Sequence, residues 1–392
     1  MPLVDVLERL GRPAAVTALD GEDAVYVVGG AVRDVLLGRR PHELDFVVEG
    51  DAVAVARRAA DRLGGSVTVH DRFGTATVTA PDAVFDLAGA RRERYQRPGA
   101  LPDVELGASL ADDLARRDFS VNSIALHLAD GELTYYPGAR EDLDGRLLRV
   151  LHDGSFRDDP TRLLRLARYA ARLDFAIEPR TDELAAAAVA GGAVDTVTGS
   201  RLGAELRLLL REPQPQALLA LERHGLGRAL LGPAFHVDPE TVRRAIALTP
   251  ADGRADLAAL ATTGLDTARL DELAFPAQER DTVAAATPAL RDDMSDVELW
   301  RALRSARPES VAVAGARGPE KAARRWLEDV RHRRLAITGH DLVAAGLEGP
   351  AVGAGLDAAM EAMLAGRASA REDQLAAALS PRRGLKNPGT PG

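Results

Sequence analysis

The sequence predicts an α+β domain followed by an all-helical remainder. Short runs of β-branched and aromatic residues, bounded by Gly, Pro or Asp, are typical of strands and occur at Val25–Val28, Leu44–Val48, Ser66–His70, Thr75–Thr79 and Val84–Leu87. After about Asp158 this pattern ends, and apolar residues recur at helical spacing in Arg162–Leu173, Thr181–Ala190, Arg201–Leu210 and Gln216–His224. An earlier helix is expected over Asp51–Leu63, with Asp51 as its N-cap.

The composition is that of a globular protein: of 392 residues, 46% are hydrophobic and 28% are charged, and the net charge is -9. The chain has no cysteine, which excludes disulfides, thiolate catalysis and cysteine-ligated zinc. No apolar run is long enough for a membrane span, and the N-terminus lacks a signal-peptide pattern. We therefore expect a cytoplasmic protein with no membrane contact. A local basic groove for phosphates is compatible with the negative net charge.

The first predicted strand runs directly into a pair of glycines. Gly29 and Gly30 follow Val28, and a helix is expected over Ala31–Leu37. Glycine lets backbone N–H groups approach a phosphate without obstruction by Cβ, and a helix N-terminus attracts anions. Arg33, in the first turn, would add a bidentate phosphate contact. The alternative is a plain tight turn between a strand and a helix.

Two acids follow on the next predicted strand. Glu43 and Asp45 are two residues apart, so in a strand they project to the same face. Neighbouring carboxylates repel each other unless a cation lies between them, which suits Mg²⁺. Paired metals assist phosphoryl transfer by activating the nucleophile and neutralising the leaving group. In isolation, such a pattern is more often a strand with two solvated acids.

The two segments together resemble a family signature. Gly29-Gly30-Ala31-Val32-Arg33-Asp34 followed by Glu43-Leu44-Asp45-Phe46-Val47-Val48 is similar to the motif of class II tRNA nucleotidyltransferases, which include CCA-adding enzymes and bacterial poly(A) polymerases. The resemblance implies a polymerase-β-like nucleotidyltransferase head with Glu43 and Asp45 holding Mg²⁺. The family usually has aspartate at the position of Glu43, whose extra methylene moves its oxygens by about 1.5 Å. This departure makes reduced or altered activity possible.

The resemblance also implies a division of the chain. The catalytic head would occupy residues 1–150, a base-recognising helical neck 151–215, a helical body 216–330 and a helical tail 331–380. The Pro- and Gly-rich end, 381–392, is expected to be disordered.

A third acid is implied within the head. Asp86 lies on the predicted strand Val84–Leu87, and the resemblance places it near the metal pair as a catalytic residue. The segment after it, from about Arg91 to Leu110, is implied to be mobile, and its Pro and Gly residues favour a loop. A solvated strand acid is the alternative interpretation of Asp86.

A further block, Arg116-Arg117-Asp118-Phe119-Ser120-Val121-Asn122, resembles the motif with which the family recognises ribose and phosphate. Arg117 would bind phosphate, and Asp118 and Asn122 offer polar partners for the 2′-hydroxyl. The alternative interpretation is a helix N-terminus with Ser120 as its cap and Arg116 solvated, and we adopt it for Arg116 alone.

The block that begins at Asp158-Asp159-Pro160 opens a predicted helix. Arg162, Arg165 and Arg168 recur every three residues and share a face with Asp159. A basic stripe alone is usually solvated, but the resemblance implies that this block recognises the incoming base. A carboxylate accepts from the exocyclic amine of cytosine or adenine, and arginine donates to the ring nitrogen. Uracil and guanine present a carbonyl where that amine should be.

The predicted function is template-independent addition of C and/or A to the tRNA 3′ end from CTP and ATP. The alternatives are restricted CC-adding or A-adding activity, a poly(A) polymerase, and a catalytically weakened RNA-binding relative. Poly(A) polymerases usually carry a basic C-terminal extension, whereas this tail has only Arg382, Arg383 and Lys386. No protein partner is predicted.

Overall fold

The structure, a computed structural model, describes residues 14–41, 43–70 and 74–380. The chain forms two compact units, the first comprising Met1–Phe235 with Ala268–Phe275 and the second His236–Thr267 with Pro276–Gly392. The division into head, neck, body and tail stays a prediction. The expected disordered end, 381–392, lies outside the described residues.

The first unit is built on a mixed sheet of seven strands in the order β3-β4-β5-β2-β1-β8-β9. These strands are β1 Val25–Val28, β2 Asp45–Val48, β3 Ser66–His70, β4 Thr75–Ala80, β5 Ala83–Gly89, β8 Ile124–His127 and β9 Leu133–Tyr135. β2 pairs with β5 in parallel, and the other pairs are antiparallel. The five predicted strands are present, but β2 begins at Asp45, so Glu43 precedes the strand and is not part of it.

The sheet has one buried face and one open face at its β3 edge. Along β4 and β5 the residues alternate, with Ala76, Val78 and Leu87 buried and Asp86 exposed. This alternation is expected of antiparallel strands with one solvated side. The helix Ala52–Leu63 is capped by the Asp51 carboxylate, which accepts from the Ala54 N–H, as predicted.

The segment predicted to be a loop contains a two-stranded ribbon. β6 Arg91–Arg94 pairs antiparallel with β7 Asp103–Leu106. Opposite charges face each other across the pair, with Arg92 and Glu105 as register partners. Such cross-strand charge pairs help to stabilise a ribbon that has only two apolar residues, Val104 and Leu106. Residues 95–102 are the connection between its strands.

Helices complete the first unit. They are α1 Ala14–Ala18, α2 Gly30–Leu36, α3 Ala52–Leu63, α4 Leu110–Ala115, α5 Ala139–Asp144, α6 Ser155–Asp158, α7 Thr161–Leu173, α8 Pro179–Ala190, α9 Gly199–Leu210, α10 Gln216–Glu222 and α11 Leu226–Leu231, with Arg269–Glu272 added from later in the chain. The four predicted helices correspond to α7 to α10 with small shifts at their ends. Two short strands, β10 Leu147–Leu148 and β11 Ala176–Ile177, pair in parallel.

The second unit is helical throughout its described residues. Its main helices are α12 Pro239–Leu248, α13 Ala255–Ala261, α14 Ala277–Ala284, α15 Asp296–Leu303, α16 Pro308–Ala316, α17 Glu320–Glu328, α18 Gly339–Ala344, α19 Pro350–Leu364 and α20 Arg371–Leu379. One core cluster gathers around Leu299, Val311 and Trp326, and another around Leu342 and Ala359. Within the described ranges, no helix is both long enough and apolar enough to cross a membrane.

Candidate active site

A polar cavity of about 250 Å³ lies within the first unit. It is lined by Gly29, Gly30, Asp45, Arg116, Arg117, Asp118, Asn122, Asp159, Arg162, Arg165 and Tyr169. Nine of these are residues singled out from the sequence, brought together from segments more than a hundred positions apart. Of the other predicted site residues, Glu43, Asp86, Arg33 and Arg168 do not line this cavity.

The backbone geometry at the start of α2 requires glycine at position 29. Gly29 has a φ of 71° and a ψ of -132°, a combination that residues with side chains avoid. A Cβ added to Gly29 would also lie 2.8 Å from Nη1 of Arg117. The turn therefore allows the Arg117 guanidinium to lie directly against the backbone at the start of α2.

Arg33 has a different place from the one predicted. Its side chain is only 1% exposed and lies within α2, where its guanidinium donates to the Asp34 carboxylate and to Oδ1 of Asn122. The expected direct phosphate contact does not fit this placement, because the guanidinium is buried, engaged by these two partners, and does not line the cavity. Arg33 instead holds Asn122, which does line the cavity.

The three predicted catalytic acids meet at one end of the sheet. Asp45 opens β2, and Asp86 is its register partner on the parallel strand β5. The pKa of Asp45 is raised, mainly because its carboxyl group is poorly hydrated. The neighbouring Glu43 and Asp86 carboxylates raise this pKa further, and the positive charge of Arg117 partly offsets the increase. Glu43 is exposed just before the strand. Within the described ranges, no three Asp, Glu or His side chains stand at metal-binding spacing.

Arg117 is held by a buried carboxylate. Its Nη2 donates to Asp113 at 2.9 Å, and Asp113 is fully buried. Burial would raise the pKa of Asp113, but Arg116 and Arg117 outweigh it and leave that pKa below its usual value. Nε of Arg117 is buried and has no hydrogen-bond partner. The side chain is 16% exposed and lines the cavity, so its guanidinium can bind an anion there.

One expectation about this block is wrong, and one part of the alternative interpretation does not hold. Arg116 is not solvated: its side chain is 18% exposed and forms ion pairs with Asp113 at 2.7 Å and Glu93 at 2.9 Å. Ser120 does not cap a helix through its side chain, because its hydroxyl donates to Asp142 at 2.6 Å. The three partners, Glu93, Asp113 and Asp142, lie outside the segment Arg116–Asn122 and were therefore missed.

Asp118 links the motif to the arginine stripe on α7. Its Oδ1 accepts from the amide of Asn122 at 3.0 Å, and its Oδ2 accepts from Nε of Arg165 at 2.7 Å. Burial would raise the pKa of Asp118, but Arg165 and Asn122 outweigh it and lower the pKa to about 2. The residue is therefore a carboxylate at neutral pH.

Asp159 and Arg162 stand at the start of α7, which begins at Thr161 and not at Pro160. Oδ1 of Asp159 accepts from Thr161 and from Arg201, the latter at 2.9 Å. Arg162 is 5% exposed and donates to the Ser155 hydroxyl. In the described part of the chain, Oδ2 of Asp159 has no donor. The pair thus offers a hydrogen-bond acceptor and a donor, and Arg201 and Ser155 hold the two side chains in place.

Sequence reasoning missed three residues that support this site. Tyr169 lines the cavity, stacks edge-on against Phe119 and accepts from Arg165 at 3.1 Å. Glu205 pairs with Arg165 at 3.1 Å and with Arg168 at 3.5 Å, and Arg201 holds Asp159. Helical spacing could have found Tyr169, which is four positions after Arg165. Glu205 and Arg201 lie on another helix, beyond the reach of local patterns.

Comparison with known proteins places this architecture in a family. The model of the poly A polymerase head domain matches residues 25–149. An A-adding tRNA nucleotidyltransferase of Geobacter sulfurreducens is 35% identical over 95% of this chain and 46% of its own length. A CC-adding tRNA nucleotidyltransferase of Deinococcus radiodurans is 45% identical over 53% of this chain and 55% of its own length. The chain thus spans about half the length of these relatives.

Other matches extend over most of both proteins. The multifunctional CCA protein of Xanthomonas campestris pv. campestris is 31% identical over 89% of this chain and 100% of its own length. A CCA-adding enzyme in an apo form has a TM-score of 0.81 at 27% identity, covering 96% of this chain and 98% of its own. A tRNA nucleotidyltransferase complexed with a primer tRNA and an incoming ATP analog has a TM-score of 0.66 at 29% identity, covering 79% and 95%.

The predicted fold class, a polymerase-type α+β head with a helical remainder, is confirmed by these likenesses. So is the family recognised from the motifs. The chain belongs to the tRNA nucleotidyltransferase family of which the CCA proteins are members.

Proposed function

We propose that this protein adds C and/or A nucleotides to the tRNA 3′ end, using CTP and ATP and no nucleic-acid template. The observation that carries the proposal is that one cavity joins the glycine turn, Asp45 and Arg117 to the pair Asp159 and Arg162. Phosphate-binding and base-selecting groups thus lie within the reach of a single nucleotide. The relatives named for CCA, CC and A addition support this activity. An enzyme acting on tRNA would work in the cytoplasm.

The reaction is a nucleotidyl transfer. The terminal ribose hydroxyl oxygen of the tRNA bonds to the α-phosphorus, and the bond from that phosphorus to the bridging oxygen breaks. Pyrophosphate leaves with the electron pair, and Asp86 takes the hydroxyl proton. Arg117 would bind the triphosphate, since its guanidinium lines the cavity beside the glycine turn. Asp118 and Asn122, already joined to each other, would contact the ribose.

The acids of the site suit a hard divalent cation. Glu43 and Asp86 both raise the pKa of Asp45, and a bound cation would relieve this repulsion between carboxylates. Carboxylate oxygens are the ligands that Mg²⁺ prefers. Glu43 and Asp45 would hold the ion, which would neutralise charge on the phosphates. Glu43, placed before the strand, would reach it with its longer side chain.

Base selection would follow from Asp159 and Arg162. The free Oδ2 of Asp159 would accept from the exocyclic amine of cytosine or adenine, and Arg162 would donate to the neighbouring ring nitrogen. Uracil and guanine would place a carbonyl against the carboxylate and an N–H against the arginine. Unpaired polar groups of this kind discriminate strongly. Arg165 would orient Asp118, and Arg168 would share the Glu205 carboxylate with Arg165.

The test uses purified protein, Mg²⁺, labelled CTP or ATP, and tRNA ending either before CCA or after CC. Extension by CTP on the first tRNA and by ATP on the second supports full CCA addition. Extension in only one reaction indicates a CC-adding or A-adding enzyme, and long A tracts indicate a poly(A) polymerase. Asp45→Asn is the inactive control, and Glu43→Asp tests the departure from the family motif. Binding of tRNA without Mg²⁺-dependent extension, even by Glu43→Asp, would refute the proposal.

A further inference from the structure

A chain of hydrogen bonds crosses the open face of the sheet and ends on Asp86. Nε2 of His70, on β3, lies 3.2 Å from Oγ1 of Thr77, on β4. The Thr77 hydroxyl donates to Oδ1 of Asp86, on β5, at 2.6 Å. Thr77 and Asp86 are register partners, and Asp86 is in turn the register partner of Asp45 on β2. This row of three side chains, His70, Thr77 and Asp86, therefore connects an exposed histidine with the acids of the candidate active site.

The direction of these bonds follows from proton count. A threonine hydroxyl has one proton to donate. The short contact to a carboxylate uses that proton, since Asp86 carries none when ionised. Thr77 can then interact with His70 only as an acceptor, so Nε2 of His70 must carry a proton. The row is thus ordered as His70 donating to Thr77 and Thr77 donating to Asp86.

This order affects the carboxylate at its end. Thr77 occupies Oδ1 of Asp86 and restrains rotation of the carboxylate, so Oδ2 is the oxygen left for a reacting group. We propose that Thr77 and His70 are positioning residues for Asp86, orienting Oδ2 to take the proton of the attacking tRNA hydroxyl. The proposal rests on the proposed function, because it assigns a role to groups that act through Asp86 in that reaction.

The sheet does not need this row of polar side chains for its stability. The buried face of β4 and β5 is formed by Ala76, Val78, Phe85 and Leu87, all at most 5% exposed. His70 and Asp86 lie on the opposite, open face. Replacement of these polar groups leaves the apolar core untouched, so variants are expected to fold.

The kinetic test compares Thr77→Val with Thr77→Ser, which keeps the hydroxyl. Thr77→Val is expected to lower kcat about tenfold, while KM for ATP should change less than twofold. Losses of this size are typical when a residue that hydrogen-bonds to a functional side chain and orients it is removed. Thr77→Ser should recover at least half of kcat. His70→Leu should give a smaller loss, and adding it to Thr77→Val should cost nothing more, because His70 acts through Thr77. Thr79→Val, an exposed threonine two positions along β4, is the matched control.

A second readout does not depend on activity. Long-range ¹H–¹⁵N correlation spectra of the His70 ring should show a protonated Nε2, and its resonance should shift in Thr77→Val and Asp86→Asn. Unchanged kcat in Thr77→Val, a loss expressed in KM, or a His70 ring insensitive to Thr77 would overturn the proposal. If the wild-type protein extends no tRNA, the proposed function itself fails, and the intact spectrum shows that the failure lies there.

Discussion

Substituting Gly29 by alanine tests two requirements of the glycine turn: an unusual backbone conformation and room for the Arg117 guanidinium. The backbone there has a φ of 71° and a ψ of -132°, which costs a residue with a side chain about 1–3 kcal/mol. The added Cβ would lie 2.8 Å from Nη1 of Arg117. That atom is the end of a flexible side chain, so the guanidinium should move at little further cost in stability. The substitution should therefore lower both the free energy of unfolding and nucleotide binding.

Gly21→Ala is the matched control. Gly21 has a φ of 80°, but a Cβ there would meet nothing within 4 Å. It should show a comparable loss of stability with normal kinetics. Urea unfolding measures the free energies, and steady-state extension of tRNA with ATP measures kcat/KM.

We expect Gly29→Ala to reduce kcat/KM for ATP at least tenfold, equivalent to about 1.4 kcal/mol, beyond any change in Gly21→Ala. The loss should appear mainly in KM, because Arg117 is displaced from the position in which it would bind phosphate. If Gly29→Ala keeps the kcat/KM of Gly21→Ala at equal stability, Arg117 in this position does not bind the nucleotide.

The other predictions concern groups that support the site. Arg201→Met should release Asp159 and reduce the preference for ATP over GTP about tenfold, as measured by the ratio of kcat/KM; an unchanged ratio would contradict the role of Arg201. Asp118 has a pKa lowered to about 2, so its stabilisation is complete above about pH 4 and is lost as the pH falls toward 2. Asp118→Asn should therefore be less stable by about 2 kcal/mol at pH 7, with the difference shrinking between pH 4 and 2 in denaturant titrations; a constant difference would refute this. Arg33→Met should leave buried Asp34 without its main partner and cost about 3 kcal/mol in the free energy of unfolding; a neutral effect would show that the pair contributes nothing.

The parts of the fold encoded by local sequence were predictable. β-Branched runs ended by glycine gave the central strands, and Asp51 indicated the start of α3, because caps and periodicity depend on near neighbours. The ribbon of β6 and β7 was missed, since its strands are joined by charge pairs such as Arg92–Glu105. β6 contains no apolar residue, and the alternation in β7 is limited to Val104 and Leu106, which is too short to mark a strand.

The sequence predicted which residues form the candidate site better than it predicted how their side chains are arranged. The motif pattern collected Gly29, Arg117 and Asp159, but the direction in which each side chain points depends on distant partners. Arg33 is buried beneath the cavity lining, where it donates to Asn122, 89 positions later. Asp159 is fixed by Arg201, 42 positions later. No local pattern contains these pairings.

The cations of the cavity are guanidinium groups alone, from Arg116, Arg117, Arg162 and Arg165. The chain has two lysines: Lys321, which lies in the second unit, and Lys386, which is outside the described residues. A guanidinium keeps its proton throughout the range in which proteins stay folded. The positive charge offered to a nucleotide is therefore constant with pH, and amine-directed reagents would find no target there. Any bend in a pH–rate profile above pH 5 would have to be sought among carboxylates, histidines or the substrates themselves.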